Sequence, residues 1–291
     1  MVVATQTLHF AKLYGLERAV DMIIDAGFKA IDVSMCDLNA IPFVGDYVSA
    51  AKKLRAHAEE RGARFVQAHA PFVGGNYDRY MKESVPNIPR AIEFASLLGI
   101  DNIVVHPIQK GRYYGNEEKL FSMTLEFYRS LAPLAHKYGV KIAIENMWQR
   151  HPIAGNICDD TLAPAEELIR MYDELADPEA FTVCLDIGHA ALCGREPEDL
   201  IRMIGGERLG CIHAHDVDYK SDLHTLPGVS KIKWLNVCRA LADIDYRGPF
   251  TLEADNFLLG FDEDQLPVAA RFMSDIAHSW AAKIEEFKKN N

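Results

Sequence analysis

Two periodicities alternate along the chain. Short runs rich in Val, Ile, Ala and Phe at 2–8, 29–34, 64–69, 102–106, 140–145, 181–186, 209–214 and 249–254 predict strands. Between them, at 17–26, 46–61, 83–98, 117–138, 164–176, 197–204, 231–243 and 266–287, apolar positions recur with a helical period and predict amphipathic helices. In 46–61 the apolar stripe is Val48, Ala51, Leu54 and Ala58, and charged residues take the other faces. Glycine marks the joints: AGFKAIDV, RGARFVQAH, LGIDNIVVH and YGVKIAIE place Gly27, Gly62, Gly99 and Gly139 between a helical stretch and a strand. A left-handed residue commonly closes a helix, and glycine adopts that conformation without steric cost.

These joints recur roughly every 35–40 residues, enough for a strand, a crossover helix and their loops in a parallel arrangement. Eight such units in strict alternation predict one (β/α)8 TIM barrel over residues 1–291, with its active site at the C-terminal mouth of the strands. The competing doubly wound sheet normally carries a GxGxxG loop after its first strand, and none is present. No linker or shift in composition divides the chain.

With 49% hydrophobic and 25% charged residues, collagen-like, disordered and low-complexity classes are excluded. No apolar run approaches the ~18 residues of a membrane span. The opening MVVATQTLHFAK lacks the basic start and long apolar core of a secretory signal. The six cysteines, Cys36, Cys158, Cys184, Cys193, Cys211 and Cys238, form no CxxC pair and read as reduced thiols of a cytoplasmic protein. A net charge of −11 argues against a nucleic-acid partner, whose phosphates demand a basic footprint.

The chemistry collects where the predicted strands end. The third ends in His69 (QAHAP), the fourth in His106 (VVHP) and the fifth in Glu145 (AIENM). The sixth ends in Asp186 with His189 three residues on (CLDIGHA), the seventh in His213 followed by His215 and Asp216 (CIHAHDVD), and the eighth in Glu253 (TLEAD). Asp222 and His224 follow the seventh strand in SDLH. In a barrel all these ends meet at one mouth. Imidazole nitrogens and carboxylate oxygens without thiolates are ligands for a divalent cation, and a cation compensates the burial of ionisable groups on apolar strands. One polar strand end is commonly just loop-facing; six consecutive ones point to a shared metal site.

Other groups read more plainly. His215 is an outward neighbour unless its strand continues past His213. His57, His136 and His278 fall in helices and read as surface or packing residues. Phe121, Met123, Phe127 and Tyr128 read as helix packing, and Lys52-Lys53 and Lys288-Lys289 as solvated faces.

The set HAP, VVHP, IEN, LDIGHA, HAHD, DLH and LE, in that order over about 60 to 255, resembles the xylose isomerase-like TIM-barrel superfamily. Within it the chain looks most like the sugar phosphate isomerase/epimerase group, which shares its barrel with AP endonuclease family 2. The resemblance implies a metal centre of Glu145, Asp186, His213 and Glu253. It also implies a divalent-metal-dependent sugar or sugar phosphate isomerase or epimerase, in which Glu145 and Glu253 move a proton through a metal-stabilised enediolate. Mn²⁺, Mg²⁺ or Co²⁺ suits that oxygen-rich set, Zn²⁺ suits it better if the extra histidines also bind metal, and no organic cofactor is expected. His69, His106, His189, Asp222 and His224 stand where endonuclease IV places further zinc ligands. That leaves two alternatives, a trinuclear-zinc DNA-repair hydrolase and a dehydratase on the same barrel. In isomerase-like members the extra histidines contact substrate instead, and His189 would steady a substrate oxygen.

The expected partner is a small sugar, with no nucleic acid and no membrane. A homo-oligomer stays open, because no decisive apolar face stands out. Around the mouth, Phe72, Tyr77, Tyr113, Tyr114, Trp148 and Phe257 either wall a sugar or pack the loops on one another. Arg112 and Arg150 suit a phosphate or carboxylate. Asp255, Asp262, Glu263 and Asp264 crowd the loop after the last strand, where barrels often bind phosphate, and favour an unphosphorylated substrate.

Overall fold

The computed structural model describes residues 1–290. Its strands are β1 (Val3–Gln6), β2 (Ala30–Ser34), β3 (Arg64–His69), β4 (Asn102–Val105), β5 (Lys141–Glu145), β6 (Trp148–Arg150), β7 (Ile157–Asp159), β8 (Phe181–Asp186), β9 (Leu209–Ala214) and β10 (Phe250–Leu252). Eight of them, all parallel, close into a barrel in the order β1-β10-β9-β8-β5-β4-β3-β2. Helices connect and surround them, from Leu8–Tyr14 and Leu16–Asp25 to the closing helix Leu266–Lys289. The architecture is the predicted (β/α)8 barrel. No helix among the described residues is long and apolar enough to cross a membrane.

Side-chain alternation builds the site. Outward-facing Val105, Ile144, Leu185 and Ile212 join the main core between barrel and helices. Inward-facing Val104, Ala143, Cys184 and Cys211 form a small separate cluster that fills the barrel, as Ala4, Ala30 and Val66 do on its far side. Two residues further along that inward face stand His106, Glu145, Asp186 and His213. The period of two thus carries each strand from a small apolar plug to an ionisable group at the mouth.

The frame is decorated where the sequence predicts strict alternation. Gly15, at φ +80, separates an extra helix, Leu8–Tyr14, from Leu16–Asp25. The helix predicted at 83–98 runs through π and 3₁₀ turns around Pro86 and becomes α-helical at Ile88. A short helix, Ile187–Leu192, follows β8 directly. The antiparallel hairpin β6–β7 lies outside the barrel, and its three-residue strands are too short and too exposed to show an alternating pattern. Gly99 and Gly139 close their helices in the left-handed region, as predicted. All six cysteines are free thiols.

Candidate metal centre and active-site cavity

The predicted strand-end residues converge. Glu145, Asp186, His213 and Glu253 each bring one ligand atom within 4.8 Å of the others. His213 Nδ1 lies 2.8 Å from Glu145 Oε1, 3.2 Å from Glu253 Oε2 and 3.8 Å from Asp186 Oδ2. His69 and His106 form a second group with Glu145: their Nε2 atoms are 3.1 Å apart, and His106 Nε2 is 3.1 Å from Glu145 Oε2. His189, His215, Asp222 and His224 form a third, with His224 Nε2 3.1 Å from Asp222 Oδ1. His57 instead pairs with Asp21 between outer helices, His136 with Asp177 in the loop after the helix Ala165–Leu175, and His278 bonds the Ser274 carbonyl on its own helix.

Backbone carbonyls set the tautomers. His69 Nδ1 donates to the Ala70 carbonyl at 2.8 Å, His189 Nδ1 to Asn146 at 2.9 Å and His224 Nδ1 to Glu253 at 3.0 Å. A carbonyl can only accept, so Nδ1 carries the hydrogen, and once the ring is neutral its Nε2 lone pair turns toward its group. That is the ligand-ready form of a metal-site histidine. Glu145 Oε2 is buried and accepts no hydrogen bond. A buried carboxylate oxygen facing imidazole nitrogens, with His106 Nε2 at 3.1 Å, suits a bound cation once those rings are neutral.

The electrostatics agree. Burial alone would raise the pKa of Glu145, but the His213 and His106 imidazoles outweigh it and hold the carboxyl well below its usual range. Burial opposes charge on His213 too, yet the Glu253 and Glu145 carboxylates push it well up. His106 goes the other way, down to about 4, because desolvation dominates. For His224, Asp222 overcomes burial and pushes it up to about 10. Opposite shifts packed into one cluster are common at functional sites.

Two residues escaped or were misplaced by sequence reasoning. His215 is not an outward neighbour: it is fully buried, and its Nε2 lies 3.0 Å from Asp186 Oδ1. Its chain continues inward past β9, and its ring takes the space a side chain at Gly188 would fill, since a Cβ there would sit 2.0 Å from His215 Cε1. Asp32 on β2 was missed because it sits in mid-strand. It is buried, accepts from Gln67 Nε2 at 2.9 Å, has one oxygen with no partner, and lies 4.0 Å from His213 Nε2. An acidic residue inside the apolar run AIDVS is the signal that marks it.

Above the ligand groups opens a cavity of about 640 Å³. His69, His106, Glu145, His189, Asp222, His224 and Glu253 line it, while Asp186 and His213 lie buried beneath. Phe72, Tyr77, Trp148, Arg112 and Arg150 line it as well. The remaining mouth aromatics pack elsewhere: Tyr113 donates to Glu167 at 2.7 Å, Tyr114 edges onto Tyr113, and Phe257 packs on Phe261 and Phe272. The hairpin β6–β7 delivers Trp148 and Arg150 to the wall.

A single barrel with carboxylate and imidazole groups gathered on successive strand ends defines the class of protein. The sequence pattern of the family described as "Xylose isomerase-like TIM barrel" matches residues 20–276, and the chain belongs to that family. An uncharacterized protein of Methanocaldococcus jannaschii is 26% identical over 250 residues, covering 83% of this chain and 80% of that one. A solved D-tagatose 3-epimerase-like protein superposes with a TM-score of 0.76 at 21% identity, covering 98% of this chain and 99% of its own. A D-psicose 3-epimerase, solved in the presence of D-fructose, does so with 0.70 at 17% identity, covering 95% and 98%.

Proposed function

We propose that the protein is a divalent-metal-dependent isomerase or epimerase acting on a carbohydrate. The observation that carries this reading is the placement of two carboxylates, Glu145 and Glu253, on one cation-suited group at the floor of a sugar-sized cavity. The fold shared with sugar epimerases supports it.

A divalent cation held by Glu145, Asp186, His213 and Glu253 would stabilise the negative charge that develops on a sugar oxygen as a neighbouring carbon loses its proton. Glu253, 13% exposed, reaches the cavity and takes or returns that proton. Glu145 does the same from its own strand. Return to the opposite face of the same carbon gives an epimer; return to the adjacent carbon gives an isomer. His189, fixed through Nδ1, offers Nε2 to a substrate oxygen. Trp148 packs edge-on against His189, with ring centres 6.4 Å apart, and walls the apolar side. Loss of a β-hydroxyl from the same enediolate would make the enzyme a dehydratase.

The test is exchange of substrate carbon-bound hydrogen with D₂O, followed by NMR over a panel of ketoses. Exchange should vanish with EDTA and return with Mn²⁺ or Co²⁺; exchange indifferent to EDTA refutes the reading.

The three neighbouring ligand groups favour one second reading, a phosphodiester hydrolase with three zinc ions. Its expected signature is nicking of an abasic duplex at moderate salt together with three zinc equivalents. The isomerase reading expects no nicking.

Asp32 yields a separate prediction. Its carboxylate faces the nitrogen of His213 opposite Nδ1, so Asp32→Asn should weaken Mn²⁺ binding about 10- to 100-fold. Chelator competition measures this, and unchanged affinity would make Asp32 a bystander.

A further inference from the structure

We infer that His215 is a positioning residue of the metal centre and not one of its ligands. It holds the Asp186 carboxylate so that one oxygen, Oδ2, faces the His213 group, and the missing side chain at Gly188 makes room for its ring. This rests on the metal-dependent reading of the site and adds to it a residue outside the four ligands.

Asp186 is fixed from several sides. The Asn146 side chain clamps its backbone: Oδ1 accepts from the Asp186 nitrogen at 2.8 Å, and Nδ2 donates to the Asp186 carbonyl at 3.0 Å. The Asp186 carboxylate caps the helix Ile187–Leu192, with Oδ1 accepting from the His189 nitrogen at 2.6 Å. What remains is rotation of the carboxylate about its last bond, and His215 removes it. Its Nε2 lies 3.0 Å from Oδ1 and 3.1 Å from Oδ2. An ionised carboxylate only accepts, so His215 carries its hydrogen on Nε2. Oδ1 thus meets two donors. Oδ2 meets one and turns toward His213 Nδ1 and His189 Nε2, each 3.8 Å away.

His215 cannot also serve the neighbouring group of His189, Asp222 and His224 as a ligand. Its Nε2 is spent on Asp186. Its ring stacks on His224 with centres 4.0 Å apart and planes within 6° of parallel. A metal sits in the plane of an imidazole, along the nitrogen lone pair, and two stacked parallel rings share no such point. His215 Nδ1 is buried without a partner, and its lone pair lies in that same plane. An ion held by His224 therefore finds His189 and Asp222 but not His215.

The ring occupies what would be side-chain space at Gly188. A Cβ there would lie 2.0 Å from His215 Cε1, 2.4 Å from Nε2 and 2.6 Å from Nδ1, closer than atoms pack. Gly188 is outside the left-handed region, so clearance and not conformation is what its missing side chain supplies. His215 itself is fully buried, and its backbone is anchored next door, where the Asp216 nitrogen donates to the Thr225 carbonyl at 2.8 Å.

The test is Mn²⁺ affinity by chelator competition, with melting temperatures alongside, for wild type, His215→Ala, His215→Gln, Gly188→Ala and the double variant Gly188→Ala/His215→Ala. His215→Ala should weaken binding about 10-fold or more. His215→Gln keeps an N–H donor where the imidazole has Nε2 and should recover most of that loss. Gly188→Ala should weaken binding in the wild-type background and cost less than about 2-fold once the ring is gone, because it acts only by moving the ring. Unchanged affinity in His215→Ala, no recovery in His215→Gln, or an equal Gly188→Ala loss in both backgrounds overturns the inference. So does an ion bonded to a His215 nitrogen in a Zn²⁺-soaked crystal. If His215→Ala does not fold, near-normal binding in His215→Gln beside weakened binding in Gly188→Ala supports the inference, and the reverse overturns it. Wild-type binding untouched by His215→Ala sinks the inference alone. A wild type that binds no Mn²⁺ and exchanges no ketose hydrogen sinks the metal reading and the inference with it.

Discussion

Glu253→Gln should cut hydrogen exchange between a ketose substrate and D₂O by about 10³-fold or more, and Glu145→Gln should do at least as much. Each substitution keeps the side chain's shape and removes a negative charge from the cation-suited group and a group able to accept a proton. Glu145 has the greater reach, because it belongs to both the His213 group and the His69–His106 group. The fold should survive, since the strands are held by the apolar plug inside the barrel and the core outside it. Circular dichroism together with exchange kinetics separates the two effects. Near-normal exchange in either variant would remove that residue from the proton path.

Asp216→Ala should be the most destabilising single substitution near the mouth. The buried Asp216 carboxylate accepts from the backbone nitrogens of Gly228, Ser230 and Ile232 and from Trp234 Nε1, all between 2.9 and 3.0 Å. Removing it strands two buried donors, Ile232 N and Trp234 Nε1, and two part-buried ones at once, at a cost of about 3–5 kcal/mol. A melting temperature lower by roughly 10 °C is expected. The loop tied down in this way also carries Asp222 and His224, whose backbone sits at φ +41, so the variant should lose part of any cation affinity of the third group. A variant that melts within about 2 °C of wild type, a margin of about 0.5 kcal/mol, would show that the loop is held by other contacts.

Much of this was legible in the residues themselves. The barrel follows from two alternating periods and from glycines that must be left-handed where helices end. The ligand groups follow from polar residues closing apolar strands, and the barrel's geometry gathers every one of them. The residues read less well are those whose role depends on contacts rather than on position. Asp32 sits in mid-strand, and its place beside His213 arises only when β2 and β9 face each other across the barrel. His215 needed the absence of a side chain at Gly188, a relation between two loops that no periodicity encodes. The hairpin β6–β7 is too short to carry a pattern, although it brings Trp148 and Arg150 to the cavity. The acidic loop after β10 shows the same limit: its charge is visible in the sequence, but not that Asp255 is buried and that Asp262, Glu263 and Asp264 do not line the cavity.

On this reading, groups from four strand ends serve one cation. Anomalous diffraction from a crystal soaked in Mn²⁺ locates that cation. A peak within coordination distance of Glu145, Asp186, His213 and Glu253 is the expected result. A protein that catalyses hydrogen exchange in a sugar while no cation occupies that position would contradict it.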